Sequence, residues 1–180
     1  MEELWINWRE RDLDTLRSEI REDHGVCSAL ARFGVLKFVE NPLMRDGEPL
    51  FARIVSYWDP DHEVFIVQGH RIELTVQDIY FLTSLPPLGM VGNTQPVLPK
   101  GQNIIEFLEC HCRPGLQFKG TWIPIGDLER LDTRVVAAAV LWILGNQELH
   151  HITGGQMMLL ESVLSGNYYG WAQMMLLSLK

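Results

Sequence analysis

Cys110-His111-Cys112, followed at a distance by His150-His151, is the densest group of soft ligands in the chain. The chemistry it suggests is zinc. Structural zinc sites place two or more residues between paired ligands and draw a second pair from elsewhere. Here a single residue separates the cysteines, and side chains so spaced on a helix diverge. Adjacent histidines point apart as well. Helix-end and surface positions account for all five residues, so no stoichiometric metal is expected. Asp59, His70 and Asp78 fall in a tightly patterned stretch and read as turn, hairpin surface and helix cap. The chain has no Gly-x-Ser-x-Gly elbow, and Gly154-Gly155 lacks the lysine and spacing of a phosphate loop. Its lysines are Lys37, Lys100, Lys119 and Lys180. None stands in the strand–loop–helix context that a pyridoxal phosphate Schiff base requires. No catalytic residue, metal ligand or cofactor is assigned.

The elements that would position any site are set by composition first. The chain has 180 residues, enough for one domain with a real core, and 47% hydrophobic content, which excludes a disordered chain. A net charge of -8, with no Lys/Arg run, argues against a surface that wraps a phosphate backbone by itself. Three cysteines, two of them separated by one residue, are not a disulfide framework, which points to reduced thiols. The opening residues are too rich in Glu, Asp and Arg for a leader peptide. The longest apolar run, Val135 to Leu144, is too short to span a bilayer. A soluble intracellular protein without membrane contact is expected.

The pattern is densest from Tyr57 to Gly89. Trp58-Asp59-Pro60-Asp61 reads as a turn. Phe65, Val67, Ile72 and Leu74 alternate around Gln68-Gly69-His70, the pattern of a β-hairpin. At Thr75 the period changes. Thr75 with Asp78 has capping-box spacing, Asp standing for Glu. Val76, Ile79, Tyr80 and Thr83 follow at helical spacing, with Phe81, Leu82 and Leu85 widening the apolar face. Pro86-Pro87 ends the helix. A DNA-reading helix-turn-helix would need a recognition helix after a short turn. Pro86, Pro87, Gly89, Gly92 and Pro96 leave no room for one.

Elsewhere the reading is mostly helical. Leu4, Trp5 and Trp8, then Leu13, Leu16 and Ile20, predict an amphipathic lead-in that stops at Gly25. Val26 to Phe33 predicts a short helix closed by Gly34, after which Leu36 and Phe38 begin a strand. Asn41-Pro42 and Asp46-Gly47 are turns. Leu50, Ile54, Val55 and Trp58 share a helical face. Met90 to Gly101 is a loop and a place to look for a partner. Asn103 caps a helix running to His111, broken by Arg113-Pro114-Gly115. Thr121 to Pro124 is extended, and Gly126-Asp127 starts a short helical turn through Leu128 and Leu131. Asp132-Thr133 caps a central buried helix, Arg134 to Leu144, stopped by Gly145, with Trp142 and Ile143 buried and Trp171 near it. Thr153 to Leu164 and Tyr168 to Leu179 are further helices, with Met157, Met158, Met174 and Met175 as core filling. The fold class expected is α+β, predominantly α, a helical body with a small hairpin in one domain over 1–180.

Taken together, these segments resemble the plant mobile domain family, often labelled aminotransferase-like. The matching positions are Trp58, Phe65, Gly69, Thr75 with Asp78 and Ile79, and Leu85-Pro86-Pro87-Leu88-Gly89. Leu141-Trp142-Ile143-Leu144-Gly145 resembles the family's apolar helix ending in Gly, and Tyr169-Gly170-Trp171-Ala172 its Tyr-x-Trp segment. Gln77 stands where members usually carry Glu, and Ser84 where they often carry Gly. The match runs from about Gly25 onward, and the family's C-terminal helices usually continue past the position of Lys180, which implies a fragment. The resemblance implies a nuclear, transposon-related protein linked to transposon silencing and genome stability. No catalytic residue set comes with it. The leading expectation is a non-catalytic interaction module acting through protein partners, with no DNA binding of its own. The alternatives are an accessory nucleic-acid-associated protein of a transposition complex and an enzyme of unknown type.

Overall fold

The computed structural model describes residues 17–18, 20–40, 53–91, 102–116, 122–145 and 151–179. The lead-in helix before Arg17, the turns at Asn41-Pro42 and Asp46-Gly47, Leu50, most of the loop after Val91, Thr121 and His150 lie outside them. The fold is α+β and predominantly α.

The first named helix, α1, spans His24–Arg32. Asp23 caps it, its carboxylate accepting from the backbone N–H of Gly25 and Val26 at 2.7 and 3.2 Å. Gly25 therefore lies in the first turn of a helix and does not end one. The cap wins because two orphan amides are satisfied there, which outweighs the low helix propensity of one glycine. Gly34 closes α1 at φ +74°, as its type requires. Residues Leu36–Glu40 form α2, a helix where a strand is expected. The reason is in the burial: Val35, Phe38 and Val39 are all buried, and their spacing of three and four is helical.

The hairpin is present and larger than the pattern suggests. Strands β1 (Trp58–Asp59), β2 (Val64–Val67) and β3 (His70–Ile72) make an antiparallel sheet in that order. Trp58 faces Phe65, and Phe65 faces Ile72. The turn between β2 and β3 has Gln68 at φ +50° and Gly69 at φ +81°, the two left-handed residues of a type I′ connection. Trp58-Asp59 is thus an edge strand, and the reversal begins at Pro60. Ile54 and Val55 are exposed, so no inward helical face joins them to Trp58.

Helix α3 spans Val76–Thr83. The Thr75 hydroxyl accepts from the Asp78 amide at 3.3 Å, and the Asp78 carboxylate accepts the Thr75 amide at 2.9 Å. This reciprocal box pulls the Asp78 carboxyl below its usual range through the Thr75 hydroxyl and amide. Its contribution is therefore present at neutral pH and is lost as pH falls through that lowered range. Thr75→Ala is expected to cost roughly 1 kcal/mol in denaturant unfolding, and an unchanged midpoint would contradict the box.

The C-cap of α3 is Ser84 at φ +62°, in the left-handed region. A side chain there is strained, and glycine is not. Ser84→Gly is expected to raise stability by roughly 0.5–1 kcal/mol, part of the relief being offset by glycine's greater freedom when unfolded. A lower melting temperature for that variant would contradict the assignment.

The body is completed by α4 (Gln102–His111), β4 (Trp122–Pro124), a 3-10 turn at Ile125–Asp127, α5 (Leu131–Ile143), β5 (His151–Thr153), α6 (Gly154–Leu164) and α7 (Trp171–Leu179). Helix α5 is central: Val135, Val136, Ala137, Ala139, Val140, Leu141 and Ile143 are all buried. Its start lies at Leu131, with Arg130 as the N-cap residue and no side-chain cap. Thr133 is inside the helix and fully buried, so the cap expected at Asp132-Thr133 is not formed. Asp132 instead pairs with Arg130 at 2.9 Å. Trp142 is half-buried rather than buried, its ring against Phe38 at 4.4 Å, while Ile143 is fully buried beside it. Gly145 closes the helix at φ +66°.

Strands β4 and β5 pair antiparallel, Ile123 opposite Ile152. Thr153 ends β5 and begins α6 with a second capping box, closed by Gln156. Met157 and Met174 are buried, which makes them core filling.

Candidate interaction surface

Among the residues that carry the family resemblance, two groups stand out in space. Trp58 and Phe65 meet across β1 and β2, ring centroids 4.9 Å apart, with Gly69 in the adjacent turn. Thr75 and Asp78 begin α3. Leu85, Pro86, Gly89 and Trp171 belong to a second group, a clasp between the exit from α3 and the entry to α7.

The clasp is built from backbone. Met90 donates to the Tyr168 carbonyl at 2.9 Å, and Gly170 donates back to the Met90 carbonyl at 3.0 Å. Ala172 donates to the Pro86 carbonyl at 3.1 Å, satisfying an amide in the first turn of α7. Gly89 crosses this junction so closely that a Cβ would stand 2.5 Å from the Tyr169 carbonyl carbon. Gly34 approaches from α1, where a Cβ would lie 3.0 Å from Pro86. The Trp171 indole N–H reaches the Phe33 carbonyl at 2.8 Å, tying the end of α1 to the start of α7. Leu85 and Trp171 are both buried here. Tyr168 to Gly170 are extended partners of Met90, so α7 starts at Trp171 and not at Tyr168.

The metal-like residues that are described, Cys110, His111, Cys112 and His151, do not converge. Cys110 is exposed and Cys112 is buried, the latter bridged to Leu128. Burial pushes the Cys112 thiol up, with Asp127 and Glu129 adding to it, which leaves it a thiol and a poor ligand. His111 is held below its usual range by burial and by Arg130, its Nδ1 3.5 Å from the Thr133 hydroxyl. His151 lies against Trp122 on the other sheet. Among the described residues, no group of three or more His, Cys, Asp or Glu is placed to hold a metal ion. Asp59 pairs with His62 at 2.8 Å in the exposed turn, and that hydrogen bond holds its carboxyl below the usual range.

Beside exposed Gln77, Asp78 and Ser84, the helix and the clasp turn large apolar side chains outward. Helix α3 packs on α7 through Ile79, with Val76 partly buried beside it. Phe81 and Leu82 do not widen that inward face. They are 74% and 72% exposed. The helical wheel explains it: Val76, Ile79 and Thr83 hold one side, and residues 81 and 82 rotate away from it. Leu88, in the exit, is 82% exposed, and Met90 and Tyr168 are exposed where they meet.

No family model, curated protein or solved structure matches the chain. The geometry alone therefore describes the site: a backbone clasp anchored by buried Leu85 and Trp171, and beside it large apolar side chains turned to solvent. Among the described residues, no helix is long and apolar enough to cross a membrane. Sequence reasoning missed the outward turn of Phe81 and Leu82. A wheel anchored on Thr75 as the cap contains that information.

Proposed function

We propose that this chain is a non-catalytic interaction module of the plant mobile domain type, nuclear and transposon-related, which acts through protein partners. One observation carries the reading: Phe81 and Leu82 stand outward on a short, well-capped helix. Neighbouring large apolar side chains exposed together mark interaction sites, whereas singly scattered ones do not. Partner capture is a chemistry such a surface performs without any reacting group. The capping box at Thr75 and the clasp at Met90, which pairs with Tyr168, support it by fixing both ends of the presenting segment. The resemblance supplies the nuclear and silencing context, and nothing in the comparisons adds to it.

The test is quantitative capture from plant nuclear extract with the wild-type chain and with Phe81→Ser/Leu82→Ser. A protein retained by the first and lost from the second supports the reading. Identical capture profiles would remove it.

The same reading makes DNA an indirect partner. Each phosphate contact needs a cation on the protein, and the chain carries a net charge of -8. In fluorescence anisotropy at physiological salt, duplex and single-stranded DNA are expected to show no binding at micromolar protein. Binding that weakens steeply with salt would favour the accessory role in a transposition complex instead.

A further inference from the structure

We propose that the outward face of α3 and its exit seats a cationic amphipathic segment of the partner, apolar side chains against Phe81, Leu82 and Leu88, lysines or arginines at its flanks. This rests on the interaction-module reading above and names the chemistry of the occupant. The argument is charge. Between Ile72 and Val91 the only formally charged residues are Glu73 and Asp78, both acidic, and between Ser162 and Leu179 there are none. Helices α3 and α7, which pack together, thus carry one carboxylate, that of Asp78, and no cation, with Glu73 just before the cap. The whole chain adds a net charge of -8.

Complementary potentials select partners and speed encounter. A second copy would bring the same carboxylates and the same net charge to the contact. An anionic membrane or a nucleic acid meets the same repulsion. A segment with apolar residues at helical spacing and basic residues around them meets attraction at the rim and burial at the centre, the arrangement of helix recognition on an apolar face.

The probe is a fluorescein-labelled peptide of roughly 18 residues, about five helical turns, with leucines at i, i+3, i+4 and i+7 and lysines elsewhere. A second peptide keeps the leucines and replaces every lysine with glutamate. Anisotropy titration of the full chain is expected to give micromolar affinity for the first peptide and at least tenfold weaker binding of the second. Phe81→Ser/Leu82→Ser should lose at least tenfold toward the lysine peptide with an unchanged melting temperature, since both side chains are exposed. Equal affinity of the two peptides would overturn the charge argument, and an unchanged affinity of the double variant would overturn the location. A dimer in sedimentation that dissociates in the double variant, or binding to zwitterionic phosphatidylcholine vesicles lost in it, would name a different occupant and overturn the proposal. Should nuclear capture depend on Phe81 and Leu82 while the lysine peptide fails to bind, the interaction reading stands and this inference falls.

Discussion

Trp171→Ala is expected to lower the unfolding free energy by roughly 3–5 kcal/mol, among the largest effects available in the chain. The indole is 1% exposed and packs beside Tyr169, ring centroids 5.3 Å apart. Its removal leaves a cavity between the end of α1 and the start of α7, two segments far apart in sequence. It also removes the donor at 2.8 Å from the Phe33 carbonyl, the C-cap residue of α1. Carbonyls at a helix end have no partner within the helix, so the lost donor adds to the cost. Trp171→Phe separates the two contributions. It restores much of the volume and leaves the carbonyl unpaired, for an expected loss of roughly 1–3 kcal/mol. Denaturant unfolding followed by circular dichroism reads both. A cost below about 1 kcal/mol for Trp171→Ala would mean that the indole does not join α1 to α7.

Gly89→Ala is expected to cost roughly 3 kcal/mol or more. Two effects act together. The backbone there is at φ +147°, a region that L side chains rarely adopt. The added methyl would meet backbone atoms, the Tyr169 carbonyl carbon at 2.5 Å and the Gly170 nitrogen at 2.6 Å. Neither can rotate aside as a side chain would, because Tyr168 and Gly170 are both hydrogen-bonded to Met90. Gly69→Ala is the control. It has φ +81° with nothing within 4 Å of the new methyl, so it carries backbone strain alone, roughly 1 kcal/mol. Thermal melts of the two variants, compared on one preparation scale, decide the point. Equal losses would show that the crossing at Gly89 is not tight.

The parts of this fold that are legible in the sequence are those whose physics is local. Thr75 with Asp78 makes its box within one helical turn, and Gln68-Gly69 makes its turn within two residues. Gly34 and Gly145 end helices because the left-handed region favours glycine. The apolar run in α5 reads as a central helix because its residues are buried on nearly every side. What was not legible depends on partners distant in sequence. Strand β5 is three residues long and exists through β4, about which His151-Ile152-Thr153 say nothing alone. Trp58-Asp59 becomes a strand only by facing Val64 and Phe65. Leu36 and Phe38 alternate like a strand, and only the burial of Val35 and Val39 with Phe38 turns the segment into a helix. Thr133 is an excellent cap by type, yet the packing of α5 draws it inside and leaves Arg130 at the start.

The same division separates motif from surface. Leu85, Pro86, Gly89 and Trp171 share a place because the clasp requires small or buried groups there, so their variants should report stability. Phe81 and Leu82 touch solvent, and their spacing from Thr75 places them outward. Their variants should report binding.

That separation is tested by measuring thermal melts and nuclear-partner capture on the same preparations of wild type, Gly89→Ala and Phe81→Ser/Leu82→Ser. The expected result is a double variant that melts with wild type and retains no partner, beside a Gly89→Ala variant that melts early. A double variant that keeps its partner in full, with its melting temperature unchanged, would contradict α3 as the surface through which this chain acts.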